Sequence, residues 1–353
     1  HNPSVWNALK FFNRKGEFIT PAQYKKLDTI FNSGRFAYKP VEKLGKINTQ
    51  AGWIDKHIKM TLAVKGVNKT AIRKRGFKVV VDAVNGAGSE ALPALLEKLG
   101  AKVVRINCKG DGNFSHEPEP IPKNLAQLCG AVRKHRADLG LACDPDADRL
   151  ALVDEKGQPI GEELTLTIAV KQVLRKMKGR TVINLSTSKV TSDIAESLGS
   201  SVFYSKVGEA SIVEMMHAKR AVIGGEGNGG VIYPAFHAGR DSLIAAALTL
   251  SCLISEQTTL SRLVETFPKY HNVKLKARLP NNFVTRLKTL EKEAKNLLGR
   301  ARINRQDGLR FDFERGWLQI RTSNTEPIFR LIVETDDQKL TRSLSRKVMR
   351  HFN

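Results

Sequence analysis

The chain has 353 residues, of which 41% are hydrophobic and 26% charged, an ordinary globular composition long enough for two to four domains. No apolar run approaches the roughly 20 residues of a membrane helix, and the four cysteines show neither CxxC nor zinc spacing. We therefore expect no membrane partner and a reducing, cytoplasmic compartment. A net charge of +23 attracts anions, such as sugar phosphates or nucleic acid. Because no zinc finger, RNP motif or basic-aromatic repeat accompanies the charge, nucleic acid is the less favoured partner.

The first predicted elements are two helices. Thr20 is typical of a helix N-cap and Pro21 of a first helical turn, which predicts a helix to about Asn32. Residues 55–75 predict a second, basic amphipathic helix.

From residue 77, apolar strands alternate with helices, with a glycine turn at 85–89. This rhythm is typical of a parallel α/β unit. The predicted elements are strand 77–82, helix 90–99, strand 101–107, helix 122–136 and strand 138–143.

The most informative feature is the run Cys143 to Arg149, CDPDADR, which lies between apolar segments and is predicted to be a loop between two buried strands. Asp144, Asp146 and Asp148 repel one another unless a cation lies between them. Oxygen ligands select a hard ion such as Mg²⁺, which keeps positions open for phosphate oxygens. The loop therefore indicates phosphate chemistry at the carboxyl end of a strand, where open α/β sheets bind ligands.

This loop has two other interpretations. A solvated acidic loop is a common use of a D-x-D-x-D run. A calcium EF-hand would use Glu155 at the twelfth position, but Arg149 replaces the turn glycine and the flanks read as strands rather than helices.

The alternation continues and predicts a second α/β domain over about 157–265. The run Gly224–Gly230 carries Glu226 and Asn228 among five glycines. A carboxylate and an amide suit sugar hydroxyls, because these need both donors and acceptors; a flexible turn is the alternative. The predicted elements are helices 162–177, 189–198, 209–217 and 240–255, and strands 180–185, 201–204 and 219–224.

Residues 267–272 are a plausible linker, and residues 273–353 predict an α+β domain. The run Arg321 to Pro327 follows a strand and precedes Arg330. Its guanidinium, hydroxyls and backbone N–H groups suit a phosphate, with a polar hairpin turn as the alternative. The elements predicted after an initial strand are helices 283–298 and 337–351 and strands 309–313, 316–321 and 328–334.

In this order and spacing, the motifs resemble those of the α-D-phosphohexomutases: phosphoglucomutases, phosphomannomutases and phosphoglucosamine mutases. The resemblance covers the whole chain, and the wording GEGNGGVIYP looks most like bacterial phosphoglucosamine mutases. The matching segments are His1–Pro3 and Asn7–Lys10 (active-site loop), Asp144–Arg149 (metal loop), Lys206–Gly208 (lysine loop), Gly225–Gly229 (sugar loop) and Arg321–Pro327 (phosphate loop).

The chain departs from the family pattern at several positions. The family's catalytic serine would stand immediately before His1, so this chain as given is expected to be inactive. Asn228 replaces a serine, Gly230 stands where many members have histidine, and Asn324 replaces a glycine. The Asn324 change is mild, because asparagine tolerates left-handed backbone.

The resemblance implies a multi-domain α/β fold around a central cleft, with a C-terminal α+β domain. The implied domains are 1–60 (remainder of domain 1), 61–156 (metal loop), 157–266 (sugar loop) and 272–353 (phosphate loop). It implies interconversion of hexose 6-phosphate and hexose 1-phosphate through a phosphoserine and a bisphosphate intermediate. Glucosamine phosphate is the expected substrate, with mannose or glucose phosphate as the alternative.

The resemblance also implies a role for each site residue. Asp144, Asp146 and Asp148 would hold Mg²⁺, Lys10 and Arg149 would neutralise the phosphoryl group, and His1 would handle a proton. The implied substrate-binding residues are Lys206, Glu226, Asn228, Arg321, Ser323, Asn324, Thr325 and Arg330.

A second hypothesis comes from a different class of protein. The charge of +23 and the missing serine would also fit a non-catalytic, mutase-derived structural or nucleic-acid-binding protein. The retained aspartates and Arg321 count against it, since a repurposed scaffold does not need them. The sequence leaves the oligomeric state open.

Overall fold

A computed structural model describes residues 8–323 and 326–352. Its helices and strands confirm the mixed α/β fold predicted from the sequence. The described helices are Pro21–Ser33 (α1), Trp53–Ala63 (α2), Lys69–Arg75 (α3), Gly88–Lys98 (α4), Ala126–His135 (α5), Glu163–Lys176 (α6), Lys189–Ser197 (α7), Glu209–Lys219 (α8), Ser242–Glu256 (α9), Leu260–Glu265 (α10), Phe283–Leu298 (α11) and Gln338–Arg350 (α12), with 3₁₀ turns at Val41–Lys43 and Pro122–Asn124.

The described strands form three sheets, here called A, B and C. Sheet A contains Lys78–Asp82 (β1), Lys102–Ile106 (β2), Leu139–Cys143 (β3) and Leu150–Val153 (β4). Sheet B contains Arg180–Asn184 (β5), Val202–Ser205 (β6), Ala221–Glu226 (β7), Gly230–Tyr233 (β8) and His237–Arg240 (β9). Sheet C contains His271–Arg278 (β10), Ala301–Asn304 (β11), Leu309–Phe313 (β12), Gly316–Thr322 (β13) and Ile328–Thr335 (β14).

Sheets A and B share one plan. Sheet A has the order β2-β1-β3-β4, and only β4 is antiparallel to its neighbour. Sheet B has the order β6-β5-β7-β8-β9, in which the first three strands are parallel and β8 and β9 are added as antiparallel hairpins. In both sheets a parallel strand therefore turns back at its carboxyl end, and the metal and sugar loops lie at these two turns.

Sheet C is antiparallel throughout, in the order β10-β14-β13-β12-β11. Helices α11 and α12 pack on it around the buried side chains Leu290, Phe311, Leu331 and Val348. The α+β layout predicted for this part of the chain is confirmed.

The predicted helix over residues 55–75 is wrong in one respect, because two helices occupy this range. Helix α2 ends at Ala63, and Gly66 follows with a φ of +114°, a conformation that favours glycine. Asn68 then caps α3, since its side-chain oxygen accepts a hydrogen bond from the Ala71 N–H at 3.1 Å. The amphipathic pattern of basic and apolar residues continues through both helices, so the sequence did not reveal this break.

One face of sheet A and one face of sheet B share a continuous core, while the opposite face of each sheet packs into a smaller cluster of its own. Helix α9 is apolar on all sides, with Leu243 to Leu253 buried throughout. It lies against α6 of the second unit and α2, α3 and α4 of the first. A helix that is apolar all round is stable only when surrounded in this way. The two sheets are therefore held as one body.

Sheet C meets this body through buried polar groups. The Glu334 carboxylate accepts hydrogen bonds from the Lys189 N–H at 2.7 Å and from the Trp317 indole N–H at 2.8 Å. Arg310, only 2% exposed, donates to the Leu185 carbonyl. The Lys274 ammonium lies 2.8 Å from the Glu163 carboxylate. These contacts fix the position of sheet C without a shared apolar core.

The described part of the segment before α2 is almost entirely exposed. Helix α1 has no buried residue, although Thr20 and Gln23 form a complete capping box. Twelve of the sixteen exposed large apolar residues described in the structure lie between Leu9 and Trp53. This is a concentration of exposed apolar surface that a monomeric soluble domain rarely carries.

No helix among the described residues is long and apolar enough to cross a membrane.

Candidate active site

The metal loop lies at the turn between β3 and β4, as predicted. Both strands are fully buried, and they pair antiparallel from Gly140–Val153 to Cys143–Leu150. Asp144 Oδ1 accepts hydrogen bonds from the backbone N–H groups of Asp148 (3.1 Å) and Arg149 (3.0 Å). The turn thus directs the second Asp144 oxygen, Oδ2, away from the backbone donors.

The three aspartates of this loop form a cluster that fits a metal ion. One carboxylate oxygen from each of Asp144, Asp146 and Asp148 lies within 4.8 Å of the other two. Asp144 Oδ2 and Asp148 Oδ1 are buried and have no hydrogen-bond partner among the described residues. Buried acceptors without partners are costly, and oxygen-only donors suit a hard cation. The cluster could therefore hold such an ion.

Proton and metal compete at Asp144. Burial, followed by the charges of Asp148 and Asp146, raises the pKa of Asp144 to about 7. Arg149, whose Nε lies 3.6 Å from Asp144 Oδ2 and 3.7 Å from Asp148 Oδ1, lowers the pKa of Asp144 but does not outweigh burial and the two neighbouring carboxylates. A bound divalent cation would keep the carboxylate ionised.

Lys10 reaches the metal loop from the N-terminal segment. Its ammonium contacts Asp146 and lies 3.7 Å from Asp148 Oδ2. Burial alone would lower the pKa of Lys10, but the hydrogen bond and charge of Asp146 outweigh it and raise that pKa. The same pair holds the pKa of Asp146 below its usual range, against the effect of burial. The cation therefore stays charged at the rim of the cluster.

The glycine run is a β-hairpin rather than an open loop. β7 extends to Glu226 and pairs back with β8, which starts at Gly230. Gly229 has a φ of +90°, and a Cβ on it would lie 2.4 Å from the Leu150 carbonyl oxygen. The Leu150 N–H in turn donates to the Gly229 carbonyl at 3.0 Å. The sugar loop therefore packs directly against the first residue after the metal loop.

Glu226 is buried at the centre of this contact. Its carboxylate accepts hydrogen bonds from the Asn184 amide (2.8 Å), the Gly208 N–H (3.2 Å) and the Asn228 amide (3.3 Å). Burial would raise the pKa of Glu226, but Arg240 and Arg149 outweigh it and lower that pKa. Glu226 is therefore an ionised acceptor, and Asn228 lies beside it.

Arg240 is the site residue that the sequence analysis missed. Its guanidinium lies 2.5 Å from Asp148 Oδ2, 2.6 Å from Glu226 Oε2 and 2.9 Å from Glu209 Oε2. Although burial opposes it, these carboxylates raise the pKa of Arg240. One side chain thus joins the metal loop of sheet A to the sugar loop of sheet B. In the sequence, Arg240 is distinguished only by its position directly before Asp241, the N-cap of α9, which does not indicate a role in the site.

The phosphate loop starts where β13 ends. Arg321 pairs with Arg330 across β13 and β14, and its Nε is buried without a hydrogen-bond partner among the described residues. Burial lowers the pKa of Arg321, and the positive charge of Arg330 lowers it further. The carboxylates of Asp307 and Glu226 act in the opposite direction but do not outweigh burial. Two guanidinium groups on neighbouring strands repel each other, so an anion between them would be stabilised. Arg330 lies 3.5 Å from Glu326.

The lysine loop and the remaining predicted residues are placed as follows. Lys206 is exposed after β6, and the next N–H groups donate to Asp307 of the β11–β12 turn (from Val207, 2.9 Å) and to Glu226 (from Gly208, 3.2 Å). The Ser323 hydroxyl accepts a hydrogen bond from the Glu326 N–H at 3.3 Å. The structure thus connects the lysine, sugar and phosphate loops. His1, Asn324 and Thr325 lie outside the described residues.

Comparison with known proteins agrees with this arrangement. The descriptions "Phosphoglucomutase/phosphomannomutase, alpha/beta/alpha domain II", "alpha/beta/alpha domain III" and "C-terminal domain" match residues 55–157, 161–270 and 273–351. The chain belongs to the phosphoglucomutase/phosphomannomutase family. In chain order, these matches contain the metal, sugar and phosphate loops.

Several members of the family are similar over nearly the whole chain. A probable phosphoglucosamine mutase of Methanopyrus kandleri is 31% identical over 350 residues, which cover 98% of this chain and 75% of that protein. A phosphoglucomutase/phosphomannomutase of Thermococcus kodakarensis is 33% identical over 348 residues, 97% of this chain and 74% of its own length. The relatives are thus longer than the present sequence.

The fold is also that of the family's solved structures. A phosphoglucomutase/phosphomannomutase family protein from Burkholderia thailandensis superposes with a TM-score of 0.81 at 24% identity, over 95% of this chain and 70% of that one. An N-acetylphosphoglucosamine mutase from Aspergillus fumigatus, solved with GlcNAc-6P and magnesium, gives a TM-score of 0.58 at 15% identity over 84% and 64% of the two chains. At these identities the likeness concerns the fold.

Proposed function

We propose that this chain carries the machinery of a phosphohexomutase that interconverts hexose 6-phosphate and hexose 1-phosphate, with glucosamine phosphate as its substrate. The observation that carries the proposal concerns one buried oxygen each of Asp144 and Asp148, which lie beside Lys10, Arg149 and Arg240 and have no hydrogen-bond partner in the described part of the chain. Phosphoryl transfer depends mainly on positioning and on charge stabilisation, which such a set supplies. The names of the relatives support the same reaction.

In this proposal Asp144, Asp146 and Asp148 hold Mg²⁺, which would neutralise charge on the transferred phosphoryl group. Lys10 and Arg149 stabilise that charge from the two sides of the cluster. Arg240 holds Asp148 and Glu226 at a fixed separation. The carboxylates and cations that would surround the transferred phosphoryl group are thereby held in place before any substrate is bound.

The other loops hold the rest of the substrate. Glu226 and Asn228 bind sugar hydroxyls, Lys206 lies at the rim, and Arg321 with Arg330 grips the phosphate that does not react. Ser323, Asn324 and Thr325 complete that grip, and His1 handles the hydroxyl proton. Binding at the remote phosphate favours reaction at the other end of the sugar.

The domain division proposed with this function is 1–60, 61–156, 157–266 and 272–353. The described cysteines are all free and three of them are buried, which supports a reducing, cytoplasmic compartment.

Titration calorimetry with glucosamine, mannose and glucose 6-phosphates in the presence of Mg²⁺ tests the substrate. We expect glucosamine 6-phosphate to bind most tightly, and Arg321→Gln to weaken binding about tenfold or more through loss of a charge-assisted bond. Arg302→Gln, an exposed position of sheet C, is the control and should bind as the parent does. Tighter binding of the mannose or glucose ester would reassign the substrate.

Turnover is tested separately by following 6-phosphate to 1-phosphate conversion with ³¹P NMR. The proposed reaction uses a nucleophilic serine, which the family resemblance places immediately ahead of His1. Conversion by the isolated 353-residue chain would refute that placement.

A further inference from the structure

A cavity of about 430 Å³ lies on the side of the molecule away from the metal loop. Phe77 and Asp138, which line it, immediately precede β1 and β3, so the cavity lies at the amino ends of these strands. The metal loop follows the carboxyl end of β3. A five-residue strand spans about 16 Å, so the two sites are separate.

The cavity is lined by more cations than carboxylates. Arg75 comes from the end of α3, Arg133 and Arg136 from the end of α5, and Lys156 from the turn after β4. Basic side chains are common in the last turn of a helix, where they complement the helix dipole. Here, however, two helix ends and a turn direct them to one concave site, which the helix dipole alone does not explain.

The two carboxylates of the cavity are already occupied by donors of the protein. Asp138 accepts hydrogen bonds from the Lys78 N–H at 2.7 Å and from the Arg75 guanidinium at 2.9 Å. Glu155 accepts from the backbone N–H of Ser261 at 3.2 Å and from its hydroxyl at 2.5 Å. Neither carboxylate is positioned to neutralise the remaining cations.

Three of the cations, Arg133, Arg136 and Lys156, keep N–H donors that make no hydrogen bond to the described residues. Arg136 has no side-chain partner among the described residues, and Arg133 uses only one guanidinium nitrogen, on the Gly157 carbonyl at 3.1 Å. Lys156 comes no closer than 3.6 Å to Glu265, and both side chains are more than half exposed. Such an exposed pair contributes little, so three cations are available to a ligand.

The floor of the cavity is apolar. Leu253 and Leu260 of α9 and α10 lie there, with the buried Phe77 ring under the Arg75 guanidinium at 5.0 Å. Thr258 adds a hydroxyl at the edge. A basic rim over an apolar floor suits an organic anion, and the volume is at the lower end of the range for small-molecule sites.

We propose that this cavity binds a small organic phosphate carrying more than one negative charge, of about mononucleotide size. Guanidinium groups match phosphate oxygens in bidentate geometry, and three cations favour a multiply charged group over a single carboxylate. The site is independent of the proposed mutase reaction, and a sugar phosphate or a nucleotide could be its source of phosphate.

Titration calorimetry of the full chain with ADP, glucosamine 6-phosphate and inorganic pyrophosphate tests the proposal and separates these sources. In the Arg321→Gln background, which weakens the proposed substrate site, we expect saturable binding of one organic phosphate, weakened at least fivefold by adding Arg136→Gln or Lys156→Gln. Arg220→Gln is the matched control, because Arg220 ends α8 in the same left-handed conformation as Arg136 ends α5, with φ values of +51° and +48°. This control should bind within twofold of the parent.

Three results would overturn the assignment. Binding that is unchanged in Arg136→Gln, or abolished by Arg321→Gln in the phosphate loop, would place the ligand elsewhere. Pyrophosphate binding as tightly as the organic phosphates would remove any role for the apolar floor. A single-stranded RNA that displaces ADP and binds more tightly would identify an extended polyanion surface instead.

Discussion

At the scale of single residues, the site is organised by charges that are only partly neutralised within the protein. Asp144 and Asp148 each leave one buried oxygen without a hydrogen-bond partner among the described residues, although Asp148 is paired with Arg240 through its other oxygen and Asp146 is paired with Lys10. An arrangement of this kind is less stable empty than loaded. Metal binding and folding stability should therefore be linked.

The first prediction concerns Asp144→Asn. The amide oxygen can keep the bonds from Asp148 and Arg149, while the buried charge and its repulsion disappear. We expect a metal-free melting temperature equal to or above that of the parent at pH 8, and loss of the increase that Mg²⁺ gives the parent. Asp111→Asn, at an exposed position, should keep the Mg²⁺ effect. A full Mg²⁺-dependent increase in the Asp144→Asn protein would exclude Asp144 as a ligand.

A second prediction concerns the pH dependence of stability at His116. Its Nδ1 lies 2.9 Å from the Glu117 carbonyl oxygen and its Nε2 lies 3.1 Å from Asp82 Oδ2. Both partners are acceptors, so the ring is held as an imidazolium. The hydrogen bond to Asp82 raises the pKa of His116, against the effect of burial.

A raised histidine pKa stabilises the fold fully below the unfolded value of about 6.5, and this stabilisation is lost as the pH rises through the folded pKa. His116→Gln should therefore cost about 1.5–3 kcal/mol near pH 5.5 and much less near pH 9, measured by urea unfolding. The exposed His271→Gln is the control and should show no such trend. A cost that does not depend on pH would mean that the ring is neutral.

How far the sequence predicts residues depends on how local their partners are. The metal loop was predictable because three carboxylates within five positions interrupt buried strands. Arg240 was not, because its partners Asp148 and Glu209 are 92 and 31 residues away. No period or motif reports such a contact. The roles of His1, Asn324 and Thr325 stay predictions.

At the scale of elements, the glycines of the sugar loop serve close packing. β8 and β9 were missed because glycine weakens the alternation by which a strand is recognised. The sequence predicted strand 219–224, then a glycine run and a helix from residue 240, with no strand between them. Gly227 shows the constraint most clearly. A Cβ on it would lie 1.8 Å from Glu163 Oε2. Glu163 cannot move freely, because Ser188 and Lys274 donate to it.

The third prediction is that Gly227→Ala lowers the free energy of unfolding by about 1–3 kcal/mol, since overpacking displaces either the carboxylate or the sugar loop. Gly130→Ala is the matched control. It lies within α5 with no atom near the added Cβ, so it should stabilise by about 0.5–1 kcal/mol. Chemical denaturation of both variants measures the pair. Equal effects would show that the contact with Glu163 can relax.

At the scale of the whole molecule, the two largest of the four apolar cores formed by the described residues divide the chain. One runs through the units of sheets A and B, and the other lies within the unit of sheet C. The separate antiparallel unit of sheet C was predictable from the change in strand and helix pattern near residue 270. The sharing of one core by two of them was not, because α9 shows its burial only as uniform apolarity.

The fourth prediction follows from the polar junction between these bodies. Glu334→Ala leaves the Lys189 and Trp317 N–H donors without their acceptor, which should cost about 2–3 kcal/mol. Scanning calorimetry should show a lowered transition for the unit of sheet C, with the transition of sheets A and B little changed. Glu314→Ala, at an exposed turn of the same unit, should leave both in place. A single transition shifted as a whole would show that the two cores unfold together.

The exposed apolar segment between Leu9 and Trp53 and the net charge of +23 have opposite effects on self-association of the chain. At low ionic strength, the repulsion between positively charged copies of the chain keeps their exposed apolar side chains apart. Salt shortens the reach of that repulsion to about 8 Å at 0.15 M, while it leaves apolar attraction intact. The isolated chain should therefore disperse best in dilute buffer and self-associate as salt is added.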